Sequence, residues 1–426
     1  MGTEIKRFLL ISMAFVGSLT LHAQKEELLP GSPFASHTYE MSWLKTSPNQ
    51  KYMTFQKTYD YTHDTLALVA FNRPGRIIFH SAGVYPVSVR YSKKGYLFMS
   101  GASTAKYLKL PNLEPTVWSG LTKSFFLEKD DVLALLKDGV LSIYSEEAVL
   151  QEQISGVVAM ELKNDCLFYT QQNGEKYTLM QWSPNASKSI YTASYKKMVI
   201  DYWEGDEYVI HGNSKETGNA EVFYINLKDK KTVALKTGSI AQLKNISEVS
   251  KLNPHRYFIT LVAVEQPRVQ RSTVDIWYPD DNHLGKKFQG GLVSKFLIWD
   301  PLNGEITPLD EKRFSRQMNI GNERFLLALT PEKHQDYIKE NIQYDISCYD
   351  IKRQQYDELG STGINNYVDP HGRYLLSYDT ENWVLYDIDS KTKKILNLHP
   401  NMKPSFDRNS RTVLFTGPGQ IVVVDV

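Results

Sequence analysis

The sequence predicts an all-β protein, a β-propeller of about eight four-stranded blades within a range of seven to nine. Three observations predict it. Nine turn-then-strand starts recur along the chain; the apolar periodicity is two rather than 3.6, with no sustained amphipathic helical segment; and aromatic residues reach 12%, including 26 tyrosines. Aromatic and β-branched side chains suit a pleated, half-buried surface. Repeats a few tens of residues long are the mark of radially or linearly stacked units.

The nine starts are SPNQKYMTF from Ser47, SKKGYLFM from Ser92, EKDDVLALL from Glu128, KNDCLFY from Lys163, EGDEYVIH from Glu204, NPHRYFITL from Asn253, GNERFLLAL from Gly321, DPHGRYLLSY from Asp369 and DRNSRTVLF from Asp407. Their anchors Tyr52, Tyr96, Val132, Leu167, Tyr208, Tyr257, Phe325, Tyr374 and Val413 lie 44, 36, 35, 41, 49, 68, 49 and 39 residues apart. That spacing suits one small sheet per repeat. A second strand follows each start, from TLALVAF at Thr65 to QIVVVDV at Gln420, and several close on aspartate, at Asp300, Asp350, Asp387 and Asp425. A third short strand follows most of these, as in EITPL from Glu305 and KKILNL from Lys393. Such units bury both faces only by stacking on neighbours, and a ring of them leaves few exposed edges. The nine starts exceed the usual number of blades, so one is expected to be an irregular element or half-blade.

Ahead of the repeats, Lys6 and Arg7 precede an apolar stretch from Phe8 to Leu21 and a small residue, Ala23. Fourteen apolar residues fall short of a membrane span and fit a secretory signal peptide over 1–23, which implies an exported, periplasmic or extracellular protein. Residues 24–426 are then expected to form one propeller. Lys and Arg number 49 against 48 Asp and Glu, so no basic excess points to nucleic acid. The mean hydropathy of −0.38 is that of a globular chain. Cys166 and Cys348 both sit in apolar strand-like runs, where a bridge after export and two buried thiols are equally ordinary readings.

The segment Val274-Asp275-Ile276-Trp277, with Asp281 and Leu284, resembles the V-D-I-W-x-x-x-D-x-x-L stretch of Bacteroidetes-type serine peptidases of the prolyl oligopeptidase family, which are dipeptidyl peptidase IV-like. Residues 41–69 look like the opening blade of that family, and 369–398 like a late one. The resemblance spans about Glu27 to Val426. It implies an N-terminal propeller that filters access to a C-terminal α/β-hydrolase domain carrying a Ser-Asp-His triad. Here the sequence stops at Asp425-Val426, inside a blade, so an incomplete last blade and no following hydrolase domain are expected.

The residues themselves point the same way. A nucleophile elbow G-x-S-x-G needs two glycines four positions apart, and none of the 25 glycines has such a partner. No G-x-G-x-x-G, Walker A sequence, H-E-x-x-H or C-x-x-C occurs either. No catalytic residue, cofactor or metal site is therefore expected. His63-Asp64 and Asp280-Asp281-Asn282-His283 are the most suggestive local clusters, and the second departs from a calcium loop at Leu284 and Gly285. The 68-residue interval is too long for a hairpin loop, and long insertions on rigid scaffolds often carry function. Its Arg268, Arg271, Trp277, Tyr278 and Asp281 are the candidate binding or inter-blade residues.

These readings converge on an exported, non-catalytic propeller resembling the substrate-gating domain of a prolyl oligopeptidase family peptidase. It would be a truncated or split form, or a stand-alone module binding peptides, a protein or a separately encoded hydrolase domain. The alternative is a propeller enzyme acting on carbohydrate or a small metabolite through carboxylates and histidines. A third reading, an interaction scaffold, would show an exposed aromatic patch.

Overall fold

Apolar runs such as Val132-Leu133-Ala134-Leu135-Leu136 are too short for a helix and too continuous for a strand with one wet face. They fit a strand covered on both sides. The computed structural model, which describes residues 40–58, 65–73, 76–110, 112–213, 219–236, 243–264, 292–330, 343–379, 381–417 and 420–426, shows that arrangement in strands such as Val132–Lys137, Arg256–Val264 and Phe325–Thr330. Nine antiparallel sheets follow one another along the chain, at residues 40–82, 90–119, 123–155, 157–193, 198–234, 243–308, 316–362, 366–396 and 403–425. Eight have four strands and the ninth has three, with consecutive strands paired in each. This is the blade architecture of a β-propeller. Among the described residues no α-helix occurs, and one 3-10 turn is formed at Pro86–Ser88.

The anchors read from the sequence fall in, or one residue before, the second strand of each sheet. One strand per sheet lies before the turn and was not anticipated. It is an edge strand, and where it is short and only partly buried, as at Arg316–Asn319 or Arg90–Tyr91, it carries almost no apolar pattern.

The chain divides into two compact units at Ala193/Ser194, four sheets in the first and five in the second. In the first unit, side chains on the strand Val132–Lys137 alternate between neighbours. Leu133 and Leu135 join Phe98 and Tyr107 of the second sheet, whereas Ala134 and Leu136 join Leu167 and Tyr169 of the fourth. In the second unit, Tyr257 and Ile259 pack with Val209 and Val222 of the fifth sheet, and Phe258 with Leu326 and Tyr349 of the seventh. Period two thus delivers alternate residues to two different interfaces, which explains the continuous apolar runs in second strands such as Val132–Lys137 and Arg256–Val264.

The turns are as regular as the strands. Ser47, Ser92, Asp369 and Asp407 each donate their backbone N–H to the carbonyl of the following strand's first residues, Tyr52, Tyr96, Tyr374 and Thr412. Each also accepts that residue's N–H on its side-chain oxygen, at 3.0, 3.0, 2.5 and 3.0 Å. Short polar side chains that bond nearby amides favour this geometry. Neighbouring turns are tied together as well: Lys93 N–H donates to Asp131, Glu128 N–H to Asp165, and the Asn322 amide to the Gly372 carbonyl.

Gly372 is required where it stands. Its φ is +64°, and a Cβ there would lie 2.3 Å from the Ile320 carbonyl oxygen and 2.8 Å from the Asn322 nitrogen. Gly372→Ala is expected to lose about 1–3 kcal/mol through strain and forced separation of the two turns, measured as a lowered urea midpoint. An unchanged midpoint would show that the seventh and eighth sheets do not depend on that contact.

Candidate functional site

The five residues singled out from the sequence, Arg268, Arg271, Trp277, Tyr278 and Asp281, lie outside the described residues, as do His63-Asp64 and Asp280–His283. The strands Arg256–Val264 and Leu292–Asp300, nine residues each, bracket the segment that holds the five, with Val264 paired to Leu292.

Chemistry-bearing side chains gather at three other places. In the fifth sheet His211 lies opposite Val199, and Asp201, the extra residue of a bulge between Ile200 and Tyr202, accepts from His211 Nδ1 on its Oδ2 at 2.8 Å. Both side chains are about nine-tenths covered, at 9% and 10% exposure. The geometry would orient an imidazole, yet little of it meets solvent. Among the described residues no group of three or more His, Cys, Asp or Glu could hold a metal. Cys166 and Cys348 are free thiols, and burial pushes both up from the ordinary thiol range.

At the other end of the same strands, Lys251 Nζ donates to Glu204 at 2.5 Å and Glu207 at 3.1 Å. Tyr202 donates to Glu204 at 2.8 Å, Tyr224 to Glu207 at 3.1 Å and Tyr257 to Glu207 at 3.4 Å. Burial draws the Lys251 ammonium down, but the two carboxylates outweigh it and hold it above its ordinary value. Lys251 and Tyr202 in turn hold the Glu204 carboxyl down. Carboxylates, phenols and ammonium satisfy one another here, so the cluster acts as a clamp between the fifth and sixth sheets.

The third place, in the first unit, is open. The strand Glu40–Thr46 breaks its alternation at a bulge between Ser42 and Lys45, and Trp43 sits there in the left-handed region with φ 54°. A bulky residue in that region costs on the order of 1–2 kcal/mol. The bulge turns Trp43 and Leu44 outward, at 59% and 56% exposure. With Pro86, Val87 and Val89 they wall a groove of about 340 Å³ whose charged residues are Lys45 and Arg90. Lys45 Nζ donates to the Val89 carbonyl at 3.1 Å and to Glu128 at 3.4 Å, and Arg90 Nε meets the same Glu128 oxygen at 2.8 Å. Arg90 Nη1 donates to the Val87 and Val89 carbonyls at 2.7 and 2.8 Å, pinning the 3-10 turn that forms one wall. Burial and the Arg90 charge lower the Lys45 ammonium from its ordinary range.

Sequence reasoning passed over this groove because Lys45 and Glu128 are 83 residues apart. One signal existed: Met41-Ser42-Trp43-Leu44-Lys45 places two apolar residues in succession where alternation demands one, which is how a bulge reads.

No protein-family description matches the chain, and no curated protein matches it in sequence. Solved structures resemble it in fold at low identity. A eukaryotic initiation factor is 12% identical with a TM-score of 0.45, over 89% of this chain and 92% of that one. The β-propeller domain of the trilobed protease from Pyrococcus furiosus is 11% identical with a TM-score of 0.33, over 78% and 99%. The acylaminoacyl peptidase of Pyrococcus horikoshii is 9% identical with a TM-score of 0.32, over 91% of this chain and 57% of that one.

Proposed function

We propose that the chain is an exported, non-catalytic propeller that binds peptide segments, in the manner of the substrate-gating propeller of Bacteroidetes-type prolyl oligopeptidase family peptidases. The observation that carries the binding role is Trp43. An exposed indole in a strained backbone conformation stabilises neither the strand nor the core, and such strain persists where it serves recognition. Tryptophan is also the side chain most enriched among energetically dominant contacts. The family-like stretch Val274–Leu284 and the missing G-x-S-x-G support the gating, non-catalytic part, and the apolar run after Lys6-Arg7 supports export.

The test uses the full chain. A serine-reactive fluorophosphonate probe and chromogenic proline- and alanine-containing dipeptides are expected to give no labelling and no turnover; stoichiometric labelling would overturn the non-catalytic reading. In parallel, a randomised nonapeptide array is expected to yield a subset with bulky apolar anchors, weakened about tenfold or more by Trp43→Ser. Retention of the same subset by the variant would sink the groove as the binding site.

A further inference from the structure

We infer that the Trp43 groove captures the free C-terminal carboxylate of a polypeptide whose last residue is apolar; this deepens, and rests on, the peptide-binding reading above. The charge balance carries the argument. Two cations, Lys45 and Arg90, share the single carboxylate of Glu128, so among the described residues one positive charge of the groove has no counter-charge.

The donors needed for a second carboxylate are present. An ammonium has three N–H bonds, and among the described residues Lys45 uses two of them, on the Val89 carbonyl and Glu128. A guanidinium has five, and Arg90 spends Nε on Glu128 and Nη1 on the Val87 and Val89 carbonyls. Among the described residues, both N–H bonds of Arg90 Nη2 and one of Lys45 are left over. A planar fork beside a point charge is the pairing that recognises a carboxylate.

Size and walls select the source of that carboxylate. A groove of about 340 Å³ holds one or two residues rather than a long strand. Trp43, Leu44, Pro86 and Val87 offer an apolar wall beside the cations. A C-terminal residue carries its carboxylate and its side chain on one Cα, so it meets the wall and the charges together. An internal Asp or Glu would need a second, apolar residue to do the same. The wall is also held in place before any ligand arrives, because Arg90 fastens the Pro86–Ser88 turn through two carbonyls, which lowers the ordering cost of binding.

The experiment is fluorescence anisotropy of the full chain with three labelled hexapeptides: one ending in a free leucine, the same peptide as its C-terminal amide, and the amide with an internal glutamate. Glu128→Gln and Trp43→Ser are tested alongside, with circular dichroism to confirm that each folds. The free acid is expected to bind about tenfold more tightly than either amide, an advantage that shrinks with salt. Glu128→Gln removes the competing carboxylate and is expected to tighten the acid about fivefold while leaving the amide unchanged. If acid and amide bind alike and both weaken in Trp43→Ser, the peptide-binding reading stands and carboxylate capture is wrong. If the internal glutamate restores acid-like affinity, the C-terminus is not the recognised group. If no peptide binds, or binding is indifferent to Trp43→Ser, the underlying reading fails and the inference with it.

Discussion

Trp299→Ala is expected to destabilise the second unit by about 4 kcal/mol, the range typical of a large aromatic removed from a packed core. Trp299 is 1% exposed, lies on the third strand of the sixth sheet opposite Tyr257 and Ile306, and packs with Val209 and Val222 of the fifth. Its neighbours are held by the strand ladders on either side, so the cavity cannot collapse and the full cost is felt. At about 2–4 °C per kcal/mol for a unit of this size, the thermal midpoint should fall by roughly 10 °C. The contrast with Trp43→Ser sharpens the test, since that exposed site should move stability by no more than about 0.5 kcal/mol. A loss below about 1 kcal/mol at Trp299 would mean that the fifth and sixth sheets are not coupled through this cluster.

The second large effect is expected at Asp350, which closes the third strand of the seventh sheet with no exposed surface. Its carboxylate accepts the backbone N–H groups of Lys352 and Arg353 at 3.0 and 2.9 Å. It also takes Arg324 at 3.0 and 3.1 Å and the Arg353 Nε at 2.9 Å. Burial alone would push this carboxyl up, but the Arg353 amide and guanidinium and the Arg324 guanidinium outweigh it and hold it well below the usual carboxylate range. Asp350→Ala leaves two backbone amides and the Arg324 guanidinium without this acceptor and takes one of two carboxylates from Arg353, which keeps Asp357. A loss of about 3 kcal/mol is expected, at the lower end for a broken buried pair because both arginines remain half exposed.

The pH dependence of that loss has a definite sign. A carboxyl whose folded value lies below its unfolded value of about 4 contributes its full stabilisation above pH 4 and loses it as the pH falls from there toward the folded value. The deficit of Asp350→Ala relative to the parent, followed by urea denaturation, should therefore be constant from pH 5 to 8 and shrink below pH 4. A deficit that persists unchanged at pH 2.5 would show that packing, not charge, is what Asp350 supplies.

Asp350 also shows how far a sequence can be read. Strand-closing aspartates at 300, 350 and 387 are visible as a pattern, and so is the arginine that opens the second strands, at Arg256, Arg324 and Arg373. That the two pair, at 3.8, 3.0 and 3.5 Å, emerges only once the strands are side by side. The edge strands escaped notice for the opposite reason. A strand such as Arg316–Asn319 is half wet and four residues long, so neither burial nor length writes a pattern into it.

By itself the sequence determined the all-β class, the nine strand starts and the turn residues Ser47, Ser92, Asp369 and Asp407, but it pointed to about eight blades with one start irregular, where nine sheets form, eight of four strands and one of three. The class, the starts and the turns depend on neighbours one to five positions apart, where side-chain alternation and turn chemistry act directly. Tertiary structure decided the rest. It placed Leu133 and Ala134 in different cores, brought Lys251 between Glu204 and Glu207, and set Lys45 and Arg90 against Glu128 beneath an outward tryptophan. Each of those arrangements joins residues from separate sheets, and which faces meet is settled by the packing of whole sheets, to which local periodicity is blind.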